Sequence, residues 1–294
     1  MKKLVYVMSI LLAGLFFACG GGKKTDTKKE EVKKEEVKQE LQVVEKVVPA
    51  ANGVPEYTIV EKPQTDISKF KKDNDGYITI FDGTFNGWRG YDKDKVPGQW
   101  TVDDGAIKFN GKGGGEAQEK DGGDLIFAYK FKNFELSIDW KVSKGANSGI
   151  FYLAQEIKGQ PIYISSPEAQ VLDNDNHPDA KLGEDGNRKS SSLYDMIPAK
   201  PQNAKPFGEW NNTKIMVYKG TVVHYQNGEV VLEYHLWTPQ WTELLQKSKF
   251  SQQKWPLAFE LLNNVGGANR AGYIGIQDHG DDVWFRNIKV KILD

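Results

Sequence analysis

The fold is decided by the nine-residue stretch Phe134-Glu135-Leu136-Ser137-Ile138-Asp139-Trp140-Lys141-Val142, in which apolar and polar side chains alternate without a break. Successive side chains of a β-strand point to opposite faces of the sheet, so the apolar residues share one face and the polar residues share the other. The stretch therefore predicts a strand that buries one face in a core and leaves the other in polar surroundings.

Short strands of the same kind recur on both sides of this stretch. Gln99–Phe109 reads as a hairpin around an Asp-Asp-Gly turn, and residues 214–234 read as two joined hairpins with Lys-Gly and Asn-Gly turns. The only helix that we predict is Pro239–Ser248. Many short strands, little helix and 12% aromatic residues predict an all-β protein, a two-sheet jelly roll or β-sandwich whose concave polar face holds the ligand.

The amino terminus has the layout of a secretory signal peptide over residues 1–19. A basic start precedes the apolar run Leu4–Phe17, which is shorter than the roughly 20 residues needed to cross a bilayer. Cys19 is the one cysteine of the chain and is followed by three glycines, an arrangement that resembles the lipobox of bacterial lipoproteins. We therefore expect a lipidated Cys19 and a location in the bacterial cell envelope, in the periplasm or on the outer surface; an unmodified structural thiol is the alternative.

Composition divides the rest of the chain into two parts. Residues 20–66 begin with a charged, low-complexity run that cannot bury enough apolar surface to fold, and we predict a solvated tether. Residues 67–294 are predicted to form one β-sandwich domain. The chain carries 39 basic and 40 acidic residues, so its charge gives no reason to expect a nucleic-acid partner.

The densest group of polar side chains lies in Glu168-Ala-Gln-Val-Leu-Asp173 and the Asn-Asp-Asn-His turn that ends at His177. If the first part is a strand, Glu168 and Gln170 share a face, and Asp173 points the other way unless the strand ends or bulges before it. A polar pair on a strand beside an acidic loop can hold a sugar-sized ligand. A solvated strand edge followed by an acidic turn is the alternative.

Several short motifs, in their order and spacing, resemble the 3-keto-disaccharide hydrolase family over residues 77–293. These motifs are Phe81-Asp82-Gly83 with Trp88, Asn147-Ser148-Gly149-Ile150, Glu168–Asp173, Leu193-Tyr194-Asp195, Gly208-Glu209-Trp210-Asn211, Asn227-Gly228, Gly272–Gly280 and Phe285-Arg286-Asn287-Ile288. The resemblance implies a concanavalin A-like jelly roll, of the lectin and glucanase type, on an exported lipoprotein. It also implies a carbohydrate substrate already oxidised at C3 by a separate glycoside 3-oxidase or dehydrogenase.

Chemistry on a 3-keto sugar requires a base, an electrophile for the enolate oxygen and a proton donor for the leaving group. Under the resemblance, Glu168 is the base or a ligand-positioning carboxylate, Asp173 is the second carboxylate, and His279 and His177 are the acid or electrophile. We expect substrate contacts from Asn147, Gln170, Tyr194, Trp210, Gln277, Asp278 and Arg286, the last as an anion stabiliser.

Each of these side chains has a structural alternative. Asp278-His279-Gly280 also reads as a turn, Asn147 as a turn former and Arg286 as an ion-pair partner on a strand. No cofactor is expected. A divalent metal bound by His177, His279 and carboxylates stays open, although no ligand pair has a diagnostic spacing such as His-x-x-x-His.

Three functions fit the sequence. The first is an exported enzyme that cleaves 3-keto-glycosides by eliminating the C1 substituent, by hydrating the glycal, or by both. The second is a conventional two-carboxylate glycoside hydrolase, although Glu168–Asp173 departs from the Glu-x-Asp-x-x-Glu strand of glucanases with this fold. The third is a non-catalytic carbohydrate-binding module that stacks sugars on Trp88, Trp210 or Trp237.

Overall fold

The computed structural model of the protein describes residues 42–112 and 121–294. The predicted signal peptide, Cys19 and the first part of the predicted tether lie outside these ranges. Within the described ranges, no helix is both long and apolar enough to cross a membrane.

Almost all regular structure in the described residues is β-strand. The elements are β1 Val44–Val48, β2 Tyr57–Glu61, β3 Tyr77–Thr79, β4 Trp88–Gly90, β5 Trp100–Asp103, β6 Ala106–Phe109, β7 Leu125–Phe131, β8 Phe134–Val142, β9 Asn147–Ala154, β10 Glu168–Leu172, β11 Asn211–Tyr218, β12 Thr221–Gln226, β13 Glu229–His235, α1 Pro239–Lys247, α2 Pro256–Asn263, β14 Gly272–Ile276 and β15 Val283–Ile292. A five-stranded sheet has the order β10-β9-β14-β7-β4. An eight-stranded sheet has the order β13-β12-β11-β8-β15-β6-β5, with β3 paired to β15.

The alternating stretch forms β8 as predicted, with every apolar side chain buried and every polar side chain half-buried. Its apolar face contributes to the main core, which gathers residues of both sheets. Trp140 is fully buried there, and its indole N–H donates to Thr213 Oγ1 at 2.9 Å. All strand pairs are antiparallel, and the predicted two-sheet jelly-roll sandwich is confirmed.

The five-stranded sheet is also covered on its outer face, the face directed away from the main core. A second apolar cluster, which includes Phe151 and Tyr273, packs there, and every residue of β9 is buried. The covering comes partly from the 3-10 helix Ile162–Ile164, which contacts α2. This two-sided burial leaves every residue of β9, β10 and β14 buried.

Of the two helices, the sequence predicted one and not the other. The predicted helix is α1, and the Thr238 hydroxyl caps it by accepting from the backbone N–H of Trp241 at 3.2 Å. The second helix, α2, was not predicted. It is a short, almost continuous apolar run that buries most of its residues, and periodicity cannot distinguish such a run from a buried strand.

The structure differs from the predicted tether between residues 42 and 66. Here β1 and β2 pair as an antiparallel hairpin. Val60 of β2 is buried, and its backbone N–H donates to the carbonyl of Glu156 at 2.9 Å. Residues 44–61 therefore belong to the folded body, whose predicted start was residue 67, because the short β-branched run of β2 finds an apolar and hydrogen-bonding partner that composition alone does not reveal.

Candidate active site

Three neighbouring strands of the five-stranded sheet supply the floor of a narrow polar cleft. Residues of β10 and β9 meet the segment that follows β14, whose Gln277 backbone N–H donates to the Gly149 carbonyl at 2.9 Å. The cleft is lined by Asn147, Tyr163, Glu168, Gln170, Tyr194, Lys249, Gln277 and His279. The sequence predicted all of these except Tyr163 and Lys249.

Glu168 and Gln170 lie on the cleft side of β10, as the alternation predicted. The residues between and after them, Ala169 and Val171, belong to the main core. The Glu168 side chain lies directly against Gly149 of β9, and a Cβ atom at Gly149 would overlap the Glu168 carboxylate. The glycine is therefore needed for space, and it sets the position of the carboxylate in the cleft.

Three buried amide groups of the cleft each have one atom without a hydrogen-bond partner among the described residues. Asn147 Oδ1, Gln170 Nε2 and Gln277 Oε1 are inaccessible to solvent and form no hydrogen bond with the described residues. An unsatisfied buried polar atom costs about 1–3 kcal/mol, so native structures seldom keep several together unless something else satisfies them. A hydroxyl-rich ligand offers the donors and acceptors that these three atoms require.

Two histidines and an aspartate meet at one end of the cleft. Asn147 joins two of them: its side-chain Nδ2 is 3.2 Å from His279 Nε2, and its backbone N–H donates to Asp281 Oδ2 at 3.0 Å. The rings of His177 and His279 lie edge to face with their centroids 6.0 Å apart. Burial and the charge of His279 lower the pKa of His177, which favours a neutral His177 ring near pH 7.

The tautomer of His177 bears on a possible metal. Ligand atoms of His177, His279 and Asp281 all lie within 4.8 Å of one another, the donor set of a two-histidine, one-carboxylate centre. However, His177 Nδ1 accepts the backbone N–H of Asp179 at 3.1 Å, so a neutral ring carries its proton on Nε2. Ligation through Nε2 would move that proton to Nδ1, against the Asp179 N–H. The geometry therefore fits a proton donor better than a metal ligand.

Tyr194 forms one wall of the cleft and is fixed by hydrogen bonds. Its hydroxyl donates to Asp179 Oδ2 at 2.9 Å, and its backbone N–H donates to the Glu168 carbonyl at 3.0 Å. Burial, followed by the negative charges of Glu168 and Asp179, raises the pKa of Tyr194 well above its usual value. Tyr194 is therefore a hydrogen-bonding group at neutral pH and not a base.

Lys249 brings a positive charge to the cleft. Its backbone N–H donates to Asp195 Oδ2 at 3.0 Å, and Asp195 is itself bound by Arg188 at 2.7 Å. The Lys249 ammonium lies 4.4 Å from the centre of the Tyr194 ring, within the range of a cation–π contact. No local sequence pattern pointed to Lys249, because it follows a helix and reaches the sheet only through the tertiary fold.

Asp173 and Asp278 are buried but do not line the cleft. Asp173 Oδ2 accepts from the Gly145 N–H at 2.7 Å and from Asn176 Nδ2 at 2.8 Å. Asp278 Oδ2 accepts from the Gly123 N–H at 2.7 Å. These carboxylates hold the loops that frame the cleft, so the structure gives Asp173 a positioning role where the sequence suggested a second catalytic carboxylate.

The structure does not bring Arg286 and Trp210 to the cleft. Arg286 lies on β15 of the eight-stranded sheet, with its guanidinium carbon 3.8 Å from the centre of the Trp210 ring. Lys141 lies 5.0 Å from the same ring, and Asp139 Oδ2 is 3.9 Å from Arg286 Nε. Both predicted residues thus belong to a cation–aromatic stack on the other sheet.

The other two tryptophans that the sequence suggested as sugar-stacking platforms also contact other groups of the protein. Trp88 is buried and its indole N–H donates to the Ile80 carbonyl at 2.6 Å. Trp237 has the Arg270 guanidinium 4.4 Å from its ring centre. Trp88 is thus buried, and Trp210 and Trp237 are each stacked with a cation, which does not favour their use as sugar-stacking platforms.

Known proteins resemble this chain over its whole folded part. A protein named 3-keto-disaccharide hydrolase from Bacteroides thetaiotaomicron is 65% identical over 305 residues, covering 100% of both chains. A solved structure of a proposed glycosyl hydrolase from Parabacteroides distasonis is 28% identical with a TM-score of 0.62, covering 75% of this chain and 95% of that chain. A second such structure from the same organism is 24% identical with a TM-score of 0.55, covering 74% and 99%, and supports the fold alone.

A family model matches as well. The 3-keto-alpha-glucoside-1,2-lyase-like domain matches residues 76–291, a range that contains every residue of the cleft. Together with the identity to the Bacteroides relative, this match shows that the chain is an enzyme of the 3-keto-alpha-glucoside-1,2-lyase-like family.

Proposed function

We propose that the protein cleaves glycosides that already carry a ketone at C3, by eliminating the C1 substituent and adding water to the resulting glycal. The support comes from the name of the Bacteroides relative, from the description of the family and from the groups that line the cleft. The net result of the two steps is hydrolysis of the glycosidic bond.

The ketone makes this route accessible because it acidifies the hydrogen on C2. A base removes the C2 proton, and the electron pair enters an enolate whose charge lies on the C3 oxygen. The enolate then expels the C1 oxygen, which takes up a proton, and a C1=C2 double bond remains. Water returns a hydroxyl to C1 and a proton to C2. No oxocarbenium ion forms.

The cleft offers one group for each task. Glu168 is the base, held in place by Gly149. The Lys249 ammonium stabilises the enolate oxygen by charge. His279, with His177 beside it, donates the proton to the leaving oxygen. Hydroxyl groups of the sugar satisfy the buried amides of the cleft, Asn147, Gln170 and Gln277.

One observation favours this chemistry over that of a conventional glycosidase. Among the described residues that line the cleft, Glu168 is the one carboxylate. Asp281, at the histidine end of the cleft, accepts the Asn147 backbone N–H, and Asp173 is occupied by loop hydrogen bonds. Ordinary glycosidases require two carboxylates across the scissile bond. A single carboxylate beside an ammonium and imidazoles suits proton abstraction next to a ketone.

The proposal also has a cellular side. A chain that begins with the layout of a lipoprotein signal, and that acts on an oxidised glycoside, fits an envelope enzyme anchored through Cys19 and supplied by a separate glycoside 3-oxidase or dehydrogenase. Incorporation of labelled fatty acid into the full chain, and its loss in Cys19→Ser, tests the anchor. Labelling that is equal in both chains contradicts it.

The activity is tested by incubating the purified protein with a 3-keto-glucoside and, separately, with the parent glucoside, while products are followed by NMR. We expect release of the aglycone from the oxidised substrate alone, with a glycal signal before the free 3-keto sugar. Release from the parent glucoside at a similar rate would contradict the proposal. Glu209→Gln, an exposed carboxylate whose side chain makes no hydrogen bond to the described residues, is the matched control for the cleft variants.

A further inference from the structure

Arg188 lies outside the catalytic cleft but bridges two carboxylates that contact it. The residue belongs to the long segment between β10 and β11 and does not line the cleft. Its Nη1 donates to Asp179 Oδ1 at 2.8 Å, and its Nε donates to Asp195 Oδ1 at 2.8 Å. One planar guanidinium therefore holds both aspartates in a fixed relative position.

Asp179 fixes two groups near the histidine end of the cleft. Its Oδ2 accepts the Tyr194 hydroxyl at 2.9 Å, and its backbone N–H donates to His177 Nδ1 at 3.1 Å. The first contact orients a wall of the cleft. The second keeps the proton of a neutral His177 ring on Nε2, the tautomer described above for a proton donor.

Asp195 holds the backbone of Lys249. Its Oδ2 accepts the Lys249 N–H at 3.0 Å. Asp195 itself has a left-handed backbone with a φ of 60°, a conformation that is uncommon outside glycine and persists where surrounding contacts fix it. The Lys249 ammonium lies 4.4 Å from the centre of the Tyr194 ring, so the contacts of both aspartates meet at neighbouring side chains of the cleft.

The use of the carboxylate oxygens distinguishes Arg188 from an ion pair that only staples a loop. Each aspartate gives one oxygen to Arg188 and the other to a residue that lines the cleft. A staple within the loop would not need contacts with Tyr194 and Lys249. The bridge therefore connects the loop to two groups of the site.

We infer that Arg188 is a positioning residue of the enzyme: through its two aspartates it fixes Lys249 and His177 without contact with the substrate. The inference rests on the proposed function, which makes Lys249 the electrophile and places His177 beside the proton donor. Because both groups act on charge that develops during the reaction, their displacement lowers kcat more than it raises KM.

Arg188→Lys tests the bridge, because lysine keeps the positive charge but lacks the fork that reaches both aspartates. The aspartate side chains are only 12% and 10% exposed, and the retained charge avoids leaving both of them unpaired. We expect kcat on a 3-keto-glucoside to fall by about 10²-fold with little change in KM.

Lys214→Gln is the matched control on the eight-stranded sheet. Lys214 is also partly exposed, pairs with Glu135 at 3.3 Å, and lies 5.2 Å from the centre of the Tyr225 ring. This variant loses an ion pair and a cation–π contact of the same kind as those of Arg188, but it should keep the wild-type kcat.

Chemical rescue separates positioning from a loss of stability. The Arg188 side chain is 21% exposed and lines a cavity of about 410 Å³, so guanidinium ion from solution can reach the space that Arg188→Ala leaves. At concentrations far below those that unfold the variant, guanidinium should restore part of kcat, whereas ammonium ion should not. Circular dichroism verifies that each variant is folded in the assay. A wild-type kcat in Arg188→Lys, or a rescue that ammonium equals, would overturn the inference.

Hydrogen exchange followed by NMR keeps this inference separate from the proposed reaction. The backbone N–H groups of Asp179 and Lys249 donate the two hydrogen bonds at the ends of the bridge. Both should exchange faster in Arg188→Lys and at the wild-type rate in Lys214→Gln, with the amides of β8 as the reference for global stability. Cleavage of the 3-keto-glucoside by wild type, with unchanged exchange and unchanged kcat in Arg188→Lys, would retain the proposed function and discard the positioning role.

Discussion

The outer faces of the two sheets carry similar residue types arranged in opposite ways. On the eight-stranded sheet, Arg286 and Lys141 stack on Trp210, and Arg286 Nε is a single buried atom there without a hydrogen bond among the described residues. In the cleft of the five-stranded sheet, buried amides such as Gln170 and Gln277 keep atoms that no described residue satisfies. The difference teaches that several unpartnered buried amides gathered in one cleft identify a functional surface better than the density of charged and aromatic side chains does.

The most stringent test of this comparison is to remove one charged side chain from each sheet and to compare the activity of the two variants. Glu168→Gln removes the only carboxylate among the described cleft-lining residues, and kcat should fall by about 10²–10⁴-fold, the contribution of a general base. Arg286→Gln on the other sheet should leave kcat unchanged. Steady-state kinetics on a 3-keto-glucoside measures both. A comparable loss of activity in Arg286→Gln would indicate an active site on the eight-stranded sheet and would contradict the assignment to the cleft.

Removing the electrophile gives the next largest effect. Lys249→Gln keeps a polar side chain of similar length but removes the charge beside the enolate oxygen, and kcat should fall by about 10²–10³-fold. Lys141→Gln, which removes the corresponding cation over Trp210, should have no effect on turnover. If kcat of Lys249→Gln is preserved and only KM rises, Lys249 binds substrate without assisting the chemistry.

A buried polar group between the sheets makes stability depend on pH. His224 of the eight-stranded sheet meets Tyr152 of the five-stranded sheet at 2.7 Å, and burial lowers its pKa from 6.5 to about 4. As the pH falls, the histidine is protonated in the unfolded chain before it is protonated in the folded protein. The contribution of His224 to the free energy of unfolding is therefore constant above pH 6.5 and decreases as the pH falls towards 4. The loss amounts to about 3 kcal/mol.

Urea unfolding across this pH range, in wild type and in His224→Gln, measures that loss. The variant should be less stable near pH 7 but should lose less stability on acidification. His235→Gln, which changes an exposed histidine, should keep the wild-type slope. Parallel pH curves for wild type and His224→Gln would show that His224 is not the titrating group.

The smallest of these effects concerns the glycine beneath the base. Gly149→Ala places a methyl group where the Glu168 carboxylate lies, so the carboxylate must shift, and we expect about a tenfold loss of kcat/KM. Gly98→Ala is the control, because its added Cβ meets nothing within 4 Å. An unchanged rate in Gly149→Ala would mean that the position of Glu168 is not critical.

Local patterns predicted the parts of the fold and site that depend on one strand at a time. The alternation of β8 predicted which face is buried, and that of β10 placed Glu168 and Gln170 together. Alternation does not indicate which of the two sheets a strand belongs to. For that reason Arg286, on the eight-stranded sheet, was predicted to share a site with Glu168 and Gln170, which lie on the five-stranded sheet. Lys249 reaches the cleft through the packing of α1 and its following loop, which leaves no periodic trace in the sequence.

The central claim, removal of the C2 proton by Glu168, is tested most directly with a 3-keto-glucoside deuterated at C2. The account predicts that the label is lost to solvent during cleavage and that aglycone release is slower than from the unlabelled substrate. A control in which the free 3-keto sugar, deuterated at C2, is incubated with the enzyme measures how much deuterium is lost by exchange next to the ketone without cleavage. A product that keeps its deuterium at C2, formed at the unlabelled rate, would contradict the elimination mechanism.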